Sequence, residues 1–306
     1  MRLVVVGSIG LDDVETPFGS VTRALGGSSI FFSIASSFFV DVGLVGIVGE
    51  DFPEAGIDAL TSKGVDVTGL ERVPGKTFRW AGKYGYDLND RKSLRTDLNV
   101  FESFKPTLPE AYRDAEFVFL GNIHPELQLD VLDQATQARF VALDTMDYWI
   151  EGSSDALMRV LSRVNAIMIN DSEARQLTGE PNIVRAARAI TEMGPELVVI
   201  KRGEYGALIY RDGAFFFVPA FPIEDVRDPT GAGDSFAGGF MGYVAKHRNL
   251  EWTTLCQATI VGSTLASFCV EDFSIQRLNT LTDAQITARA NRFRELTHTP
   301  RIVIDG

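Results

Sequence analysis

The run Asp228-Pro229-Thr230-Gly231-Ala232-Gly233-Asp234-Ser235-Phe236 puts three small residues, then a carboxylate, where a loop passes into an apolar helix. From Thr230 to Gly233 the backbone is almost unshielded by side chains, so several peptide N–H groups can converge on one anion. The helix that follows adds the positive end of its dipole at the same point. Asp234 stands beside that anion site, in reach of a hydroxyl brought next to it. An anion cradle with a base alongside is the equipment for moving a phosphoryl group onto an alcohol. A glycine-rich helix entry with a dipole-complementing aspartate would explain the composition alone, so the reading rests on the order of the residues.

Four further segments carry polar groups at places where α/β proteins bind ligands. The first strand ends Gly7-Ser8-Ile9-Gly10-Leu11-Asp12-Asp13, at the carboxyl end where such sheets hold their ligands. A carboxylate at Asp12, or at Asp13, can accept two hydroxyl protons of a polyol; a plain turn aspartate is the other reading. A dinucleotide loop is the competing reading and fits poorly, because the third glycine and the following helix are missing. Gly26-Gly27 precedes a helix that carries Phe31, and paired glycines let a substrate come close to backbone N–H groups. Asn170-Asp171-Ser172-Glu173 opens another helix after a buried strand. Its hard oxygens suit magnesium that keeps its waters, or equally a helix cap with Glu173 complementing the dipole. Lys201-Arg202-Gly203-Glu204-Tyr205-Gly206 joins two strands and offers cations to a phosphate, or to solvent. No Walker loop, protein-kinase signature, zinc-hydrolase spacing or serine elbow occurs, and His124, His247 and His298 are scattered. Asn122 and His124 follow a strand end and read as an ordinary loop pair.

In this order, the segments resemble the ribokinase-like (PfkB) family of carbohydrate and nucleoside kinases along essentially the whole chain. The resemblance implies an α/β fold with a mostly parallel central sheet flanked by helices and a small β-sheet lid. It implies ATP and Mg²⁺, with Asp234 as catalytic base and Gly231, Ala232 and Gly233 shaping the anion hole. Substrate contacts fall to Asp12, Gly26, Gly27 and Phe31, nucleotide contacts to Lys201, Gly203, Gly206 and Thr230, and Mg²⁺ with its waters to Asn170 and Glu173. Phe31 is a departure, since the family carries a sugar-binding Asn there. Gly46–Asp51 resembles a family turn to which no chemistry is assigned. Asp228 and Thr230 match a monovalent-cation site of some members, although Val270-Glu271-Asp272-Phe273 departs from the pattern that completes it.

The implied substrate is a small sugar phosphorylated on a primary hydroxyl. A nucleoside is the alternative, with Phe31, Phe78, Trp80 and Tyr84 available to stack on a base. A phosphosugar is another, given Arg79, Lys83, Arg91, Lys92 and Arg95 in the lid. A non-catalytic sugar-binding regulator would need neither Asp234 nor Glu173. A helix terminus lowers the pKa of Asp234, and phosphate charge raises it again.

Strand-like runs at Leu3–Val6, Gly43–Val48, Phe117–Gly121, Phe140–Asp144, Ala166–Asn170 and Leu197–Lys201 alternate with helical periods. The helices are expected at 28–40, with Ser28 as cap, and at 53–63, 125–136, 153–163, 171–178 and 182–193. Three more follow at 233–246, 252–268 and 283–296. Two hairpin patterns, about 13–25 and 75–101, break the alternation and form the lid of a single domain spanning 1–306. A projecting sheet has to cover something or pair with a partner, and a homodimer through the lid is one outcome. The 306 residues are 45% hydrophobic and 23% charged, enough for a full core. A net charge of −12 argues against nucleic-acid and membrane partners. Two cysteines, Cys256 and Cys269, lack metal-ligand spacing. No signal peptide or membrane span is visible, so a soluble cytoplasmic protein is expected.

Overall fold

Alternate residues of the central strands enter two different cores. The computed structural model describes residues 1–297, and His298 lies outside them. Strand β1 (Leu3–Val6) sends Leu3 and Val5 into one core and Val4 and Val6 into the other. Phe117 and Phe119 part from Val118 and Leu120 in the same way. Continuous apolar runs without charge are what strands covered on both faces require.

The remaining strands in chain order are β2 (Gly10–Thr16), β3 (Gly19–Gly26), β4 (Val42–Gly49), β5 (Val65–Val73), β6 (Phe78–Tyr84) and β7 (Arg91–Asp97). They continue with β8 (Phe117–Leu120), β9 (Phe140–Leu143), β10 (Ala166–Asn170), β11 (Leu197–Lys201), β12 (Ala207–Arg211) and β13 (Ala214–Val218). Nine of them form a sheet ordered β13-β12-β11-β10-β9-β8-β1-β4-β5. It is parallel from β11 to β5, with β12 and β13 running antiparallel at one end. Parallel strands aim all their carboxyl ends the same way, which gathers Asp144, Asn170 and Lys201 on one rim.

On one face the helices Ser28–Ser37, Ala232–His247 and Trp252–Cys269 pack with Leu3, Val5, Phe117 and Phe119. Phe32 stacks on Phe119 with ring centroids 4.3 Å apart. The helices Pro125–Gln134, Ser154–Leu161 and Ile183–Thr191 cover the other face. The helix expected at 153–163 is Ser154–Leu161, and the short helix Asp147–Gly152 before it was not expected. The edge strand β5 was not expected, because its polar residues Asp66, Thr68, Glu71 and Arg72 hide the pattern of a half-covered strand. Ser28 is not a cap: Gly27, at φ 90°, takes that position and Ser28 begins the helix.

The lid is a four-stranded sheet ordered β3-β2-β6-β7, with β2 and β6 parallel and both outer pairings antiparallel. It begins at Gly10, earlier than expected, so Asp12 is a residue of the lid itself rather than of the loop after β1. Gly10 is in register with Phe78, whose ring lies 2.6 Å from where a Cβ on Gly10 would stand. Register puts Asp12, Val14, Trp80, Gly82 and Tyr84 on one face and Asp13, Arg79 and Lys83 on the other. The second face stays wet through ion pairs, Arg79–Asp13 at 2.6 Å and Arg95–Asp97 at 3.0 Å among them. The first face covers the rim of the large sheet.

Candidate active site

Gly231 starts the helix Ala232–His247 in the left-handed region, at φ 77° and ψ −1°. Glycine is needed there twice over: the backbone is one L residues avoid, and a Cβ would stand 2.4 Å from the ring of Phe31. Ala232 N–H donates to the Pro229 carbonyl (3.2 Å) and Ser235 N–H to that of Gly231 (2.8 Å). The N–H groups of Gly233 and Asp234 have no carbonyl partner among the described residues, and no side chain caps the helix. Open donors at a helix start are an anion site. A cation stands beside them, since Lys201 Nζ lies 3.2 Å from where a Cβ on Gly233 would be. Lys201 also pairs with Asp144 at 3.0 Å, both side chains largely buried, and Asp144 accepts from Thr145 N–H at 2.9 Å.

Asp234 is half-buried, and its carboxyl is pushed up to about 7. Burial is the main cause and the charge of Asp144 the next; Lys201 and Arg91 pull the other way. The helix end, expected to make Asp234 a stronger acid, is outweighed by lost hydration. Asp12, 5% exposed, is likewise pushed up to about 7 by burial, then by the charges of Asp228 and Asp234. Two carboxylates from opposite ends of the chain therefore share one electrostatic environment.

Gly26 has no side chain because Asp12 fills the space: a Cβ would stand 1.9 Å from Asp12 Oδ2. Gly27 donates its N–H to Asp12, and a Cβ there would meet the Ser8 carbonyl oxygen at 2.5 Å. Phe31 is 2% exposed, with its ring against Gly231. It is a support beneath the anion loop and presents little surface of its own.

Asn170 and Glu173 form a reciprocal cap, Glu173 N–H to Asn170 Oδ1 and Asn170 N–H to Glu173 Oε2, both at 2.8 Å. The Glu173 carboxyl is pushed up to about 7 by burial and then by Asp144, so it also faces the rim cluster. Gly203 and Gly206 serve backbone geometry: Gly206, at φ 86°, lies against the Val218 carbonyl, and Gly203 lies against Asn89 of the lid hairpin. Thr230 N–H donates to Asp228 Oδ1 (2.8 Å), and its hydroxyl donates to Tyr84 of the lid (3.2 Å).

Sequence reasoning passed over Asp144, which carried a usable signal as the first polar residue after the buried run Phe140–Leu143. Tyr84 was read as a ring available to stack on a base, and its hydroxyl bond to Thr230 was not foreseen. Asp12 and Tyr84 are buried on the covering face of the lid, and two hollows on the surface lie elsewhere. One, about 440 Å³, is beside Arg211, Asn249 and Trp252, and the other, about 210 Å³, lies on the outer lid side by Asp51, Lys76 and Arg95.

Residues 5–281 match the model of the pfkB family carbohydrate kinases. A cytidine kinase of Thermococcus kodakarensis is 35% identical over 258 residues, covering 82% of this chain and 91% of its own. A deoxyribokinase of Salmonella typhi is 26% identical over 67% of the chain and 69% of its own. In fold the chain is similar to a putative ribokinase II of E. coli in its apo form, with a TM-score of 0.80 at 19% identity and coverage of 95% and 99%. A Burkholderia thailandensis nucleoside kinase in complex with inosine gives a TM-score of 0.76 at 19% identity, covering 98% and 100%. With an anion loop, a buried lysine and two convergent aspartates already in place, the family match makes the chain a member of the pfkB carbohydrate kinases, phosphotransferases that act on an alcohol hydroxyl.

Proposed function

We propose that the chain transfers the terminal phosphoryl group of ATP to the primary hydroxyl of a nucleoside or a closely similar free pentose. The observation that carries this is the convergence of Asp12 and Asp234 under one lid. Asp12 and the Gly27 N–H hold hydroxyls of the sugar ring. Asp234 takes the proton of the accepting hydroxyl, late in a loose transition state that needs little early deprotonation. Lys201 and the open N–H groups of Gly233 and Asp234 offset charge on the moving phosphoryl oxygens. Gly231 gives that loop its bend, Ala232 keeps it unshielded, and Thr230, Gly203 and Gly206 shape the nucleotide side. Phe31 braces the loop from below.

A nucleoside is favoured over a bare sugar by the length of the likeness to a cytidine kinase. Trp80, in register with Asp12 on the covering face of the lid and half-buried, supplies an aromatic plane. A phosphosugar draws little support, because Arg79, Lys83 and Arg95 lie on the other face of the lid in ion pairs. The charge of Asp144 raises both Glu173 and Asp234, with Lys201 the buried cation among them, so the rim is short of positive charge. That donor set fits magnesium held through its waters by Asn170 and Glu173, which when bound would neutralise phosphate charge. Among the described residues no three such side chains converge closely enough to grip an ion directly. ATP consumption by the full chain with cytidine, uridine, adenosine, ribose and ribose 5-phosphate tests the assignment. Turnover only with the phosphosugar, or with none, overturns it.

Four finer statements belong to the same reading. The chain acts as one domain. Asp228 and Thr230 flank a monovalent-cation site, checked by exchanging potassium for sodium. Two copies pair through the lid, whose edge strand β7 exposes Leu94, checked by sedimentation. The unpaired thiols Cys256 and Cys269 suit a reducing cytoplasm, and no helix among the described residues is long and apolar enough to cross a membrane.

A further inference from the structure

The lid does not merely overhang the rim; it is hydrogen-bonded to the segment that leads into the anion loop. Thr16 of β2 donates from Oγ1 to the Arg227 carbonyl at 2.8 Å. Leu25 of β3 accepts from Ser274 Oγ at 2.6 Å, and Ser274 N–H reaches Asp228 Oδ2 at 3.5 Å. Tyr84, the last residue of β6, accepts from Thr230 Oγ1 at 3.2 Å. Asn89, in the hairpin beyond β6, lies so close to Gly203 that a Cβ there would be 1.7 Å from its side-chain oxygen.

These contacts differ in what they touch. Thr16 and Leu25 join backbone to backbone through short hydroxyl links at the root of the lid. Tyr84 alone among them bonds the side chain of Thr230, the residue before Gly231. Thr230 is already fixed on its other side, because its N–H is held by Asp228, which is 1% exposed. Tyr84 itself is 6% exposed and lies on the Asp12 face of the lid. Its hydroxyl stays protonated at ordinary pH, since burial pushes it up to about 12. Admitting an acceptor to Asp12 requires the lid to lift, and lifting β6 removes the Tyr84 oxygen from Thr230.

We propose that Tyr84 is a positioning residue that couples the lid to the anion loop, so that the loop takes its phosphate-holding shape only with the lid down. The inference rests on the phosphotransferase reading and adds a consequence. When the lid is up, Thr230 loses a partner and the loop relaxes, so a bound ATP is held for transfer only over a filled acceptor site. Water, which cannot hold the lid down, is thereby kept from acting as acceptor to give ADP and inorganic phosphate. Coupling of this kind is reciprocal: ordering the loop with nucleotide must equally favour the closed lid.

The test uses the full chain and four variants: Tyr84→Phe, Thr230→Val, their double, and Thr230→Ser. With ATP, magnesium and cytidine, and again with ribose, ADP formation is compared with phosphorylated acceptor. Tyr84→Phe and Thr230→Val should each raise acceptor-independent ADP formation relative to transfer by about tenfold. The double variant should add nothing to either single, because both remove one bond, and Thr230→Ser should retain the wild-type ratio. In parallel, amide exchange of residues 78–84 and 227–231 in nucleotide-free protein should quicken together in Tyr84→Phe. A lower melting temperature with an unchanged ADP-to-product ratio would leave Tyr84 a packing residue and overturn the proposal. So would strictly additive variants, or lid exchange that quickens while 227–231 does not. Should the wild type phosphorylate no acceptor, the kinase reading itself fails, and the exchange experiment still decides whether lid and loop are coupled.

Discussion

Two helices in this molecule begin on a glycine with positive φ, pack against each other, and carry no side-chain cap, yet their openings do opposite things. At Gly27 the chain consumes its own donors: Ser28 N–H goes to Ser8 Oγ and Ser29 N–H to the Ser8 carbonyl, each at 3.1 Å. What remains is a carboxylate from a lid strand, itself held by the Gly27 N–H, a combination suited to neutral hydroxyls. At Gly231 the N–H groups of Gly233 and Asp234 stay open, Lys201 stands alongside, and the acid sits in the helix itself. That combination suits an anion and the proton leaving its acceptor. A glycine-led helix start is thus a blank socket. Its chemistry is decided by which neighbours use up the donors and which charge is left.

The comparison breaks most sharply at Asp234. Asp234→Asn should lower kcat by about 10²–10⁴-fold, the usual worth of a positioned base, while calorimetry finds ATP bound within a few-fold of wild type. Turnover near the wild-type rate would remove the base from Gly231 and leave the two starts chemically alike. Next in size is Asp12→Ala. Loss of a charged hydrogen bond of about 1.5–3 kcal/mol predicts about 10- to 100-fold lower kcat/KM for the acceptor, with KM for ATP unmoved. A rise in the ATP KM instead would place Asp12 on the donor side.

The two glycines themselves separate by rescue. Gly27→Ala and Gly231→Ala should each cost about 1–3 kcal/mol of unfolding free energy in urea, from backbone strain and a steric clash. The clash at Gly231 is with the Phe31 ring and that at Gly27 is with backbone of Ser8. Phe31→Leu should therefore offset part of the Gly231→Ala loss and none of the Gly27→Ala loss. Equal rescue of both would dissolve the distinction.

The last test is in pH. Asp12 and Asp234 ordinarily titrate near 3.8, and in the folded chain both are pushed up to about 7. Between those values the folded state binds more protons than the unfolded, so stability falls as pH rises from about 4 to about 7 and levels above. The melting temperature of nucleotide-free protein should follow that slope, and Asp12→Asn or Asp234→Asn should flatten it. A wild-type curve rising across the window would contradict the shared environment of the two acids. The same shift makes the rate of transfer climb with pH through about 7, as Asp234 becomes a base.

Local chemistry was readable wherever it depended on neighbours in the chain. The bend at Gly231, the cap at Asn170 and Glu173, and the unbroken apolar runs of β1 and β8 all follow from conformational preferences of a few residues. Where a pattern was diluted, reading failed: polar β5 looked like loop because an edge strand has only part of its surface to hide. Asp144 was overlooked although it is the first polar residue after an apolar run, and its pairing with Lys201 is what gives that position weight.

By itself, then, the order of amino acids determined which segments could bind an anion, accept a hydroxyl or turn sharply, because each of those depends on backbone angles and side chains a few bonds apart. The tertiary structure alone decided that Asp12 and Asp234 share a field, that Phe31 braces Gly231, and that Tyr84 bonds Thr230. Those contacts join residues far apart in the chain. They are created by the strand order of the sheet and by one helix packing against another, and no local preference encodes them.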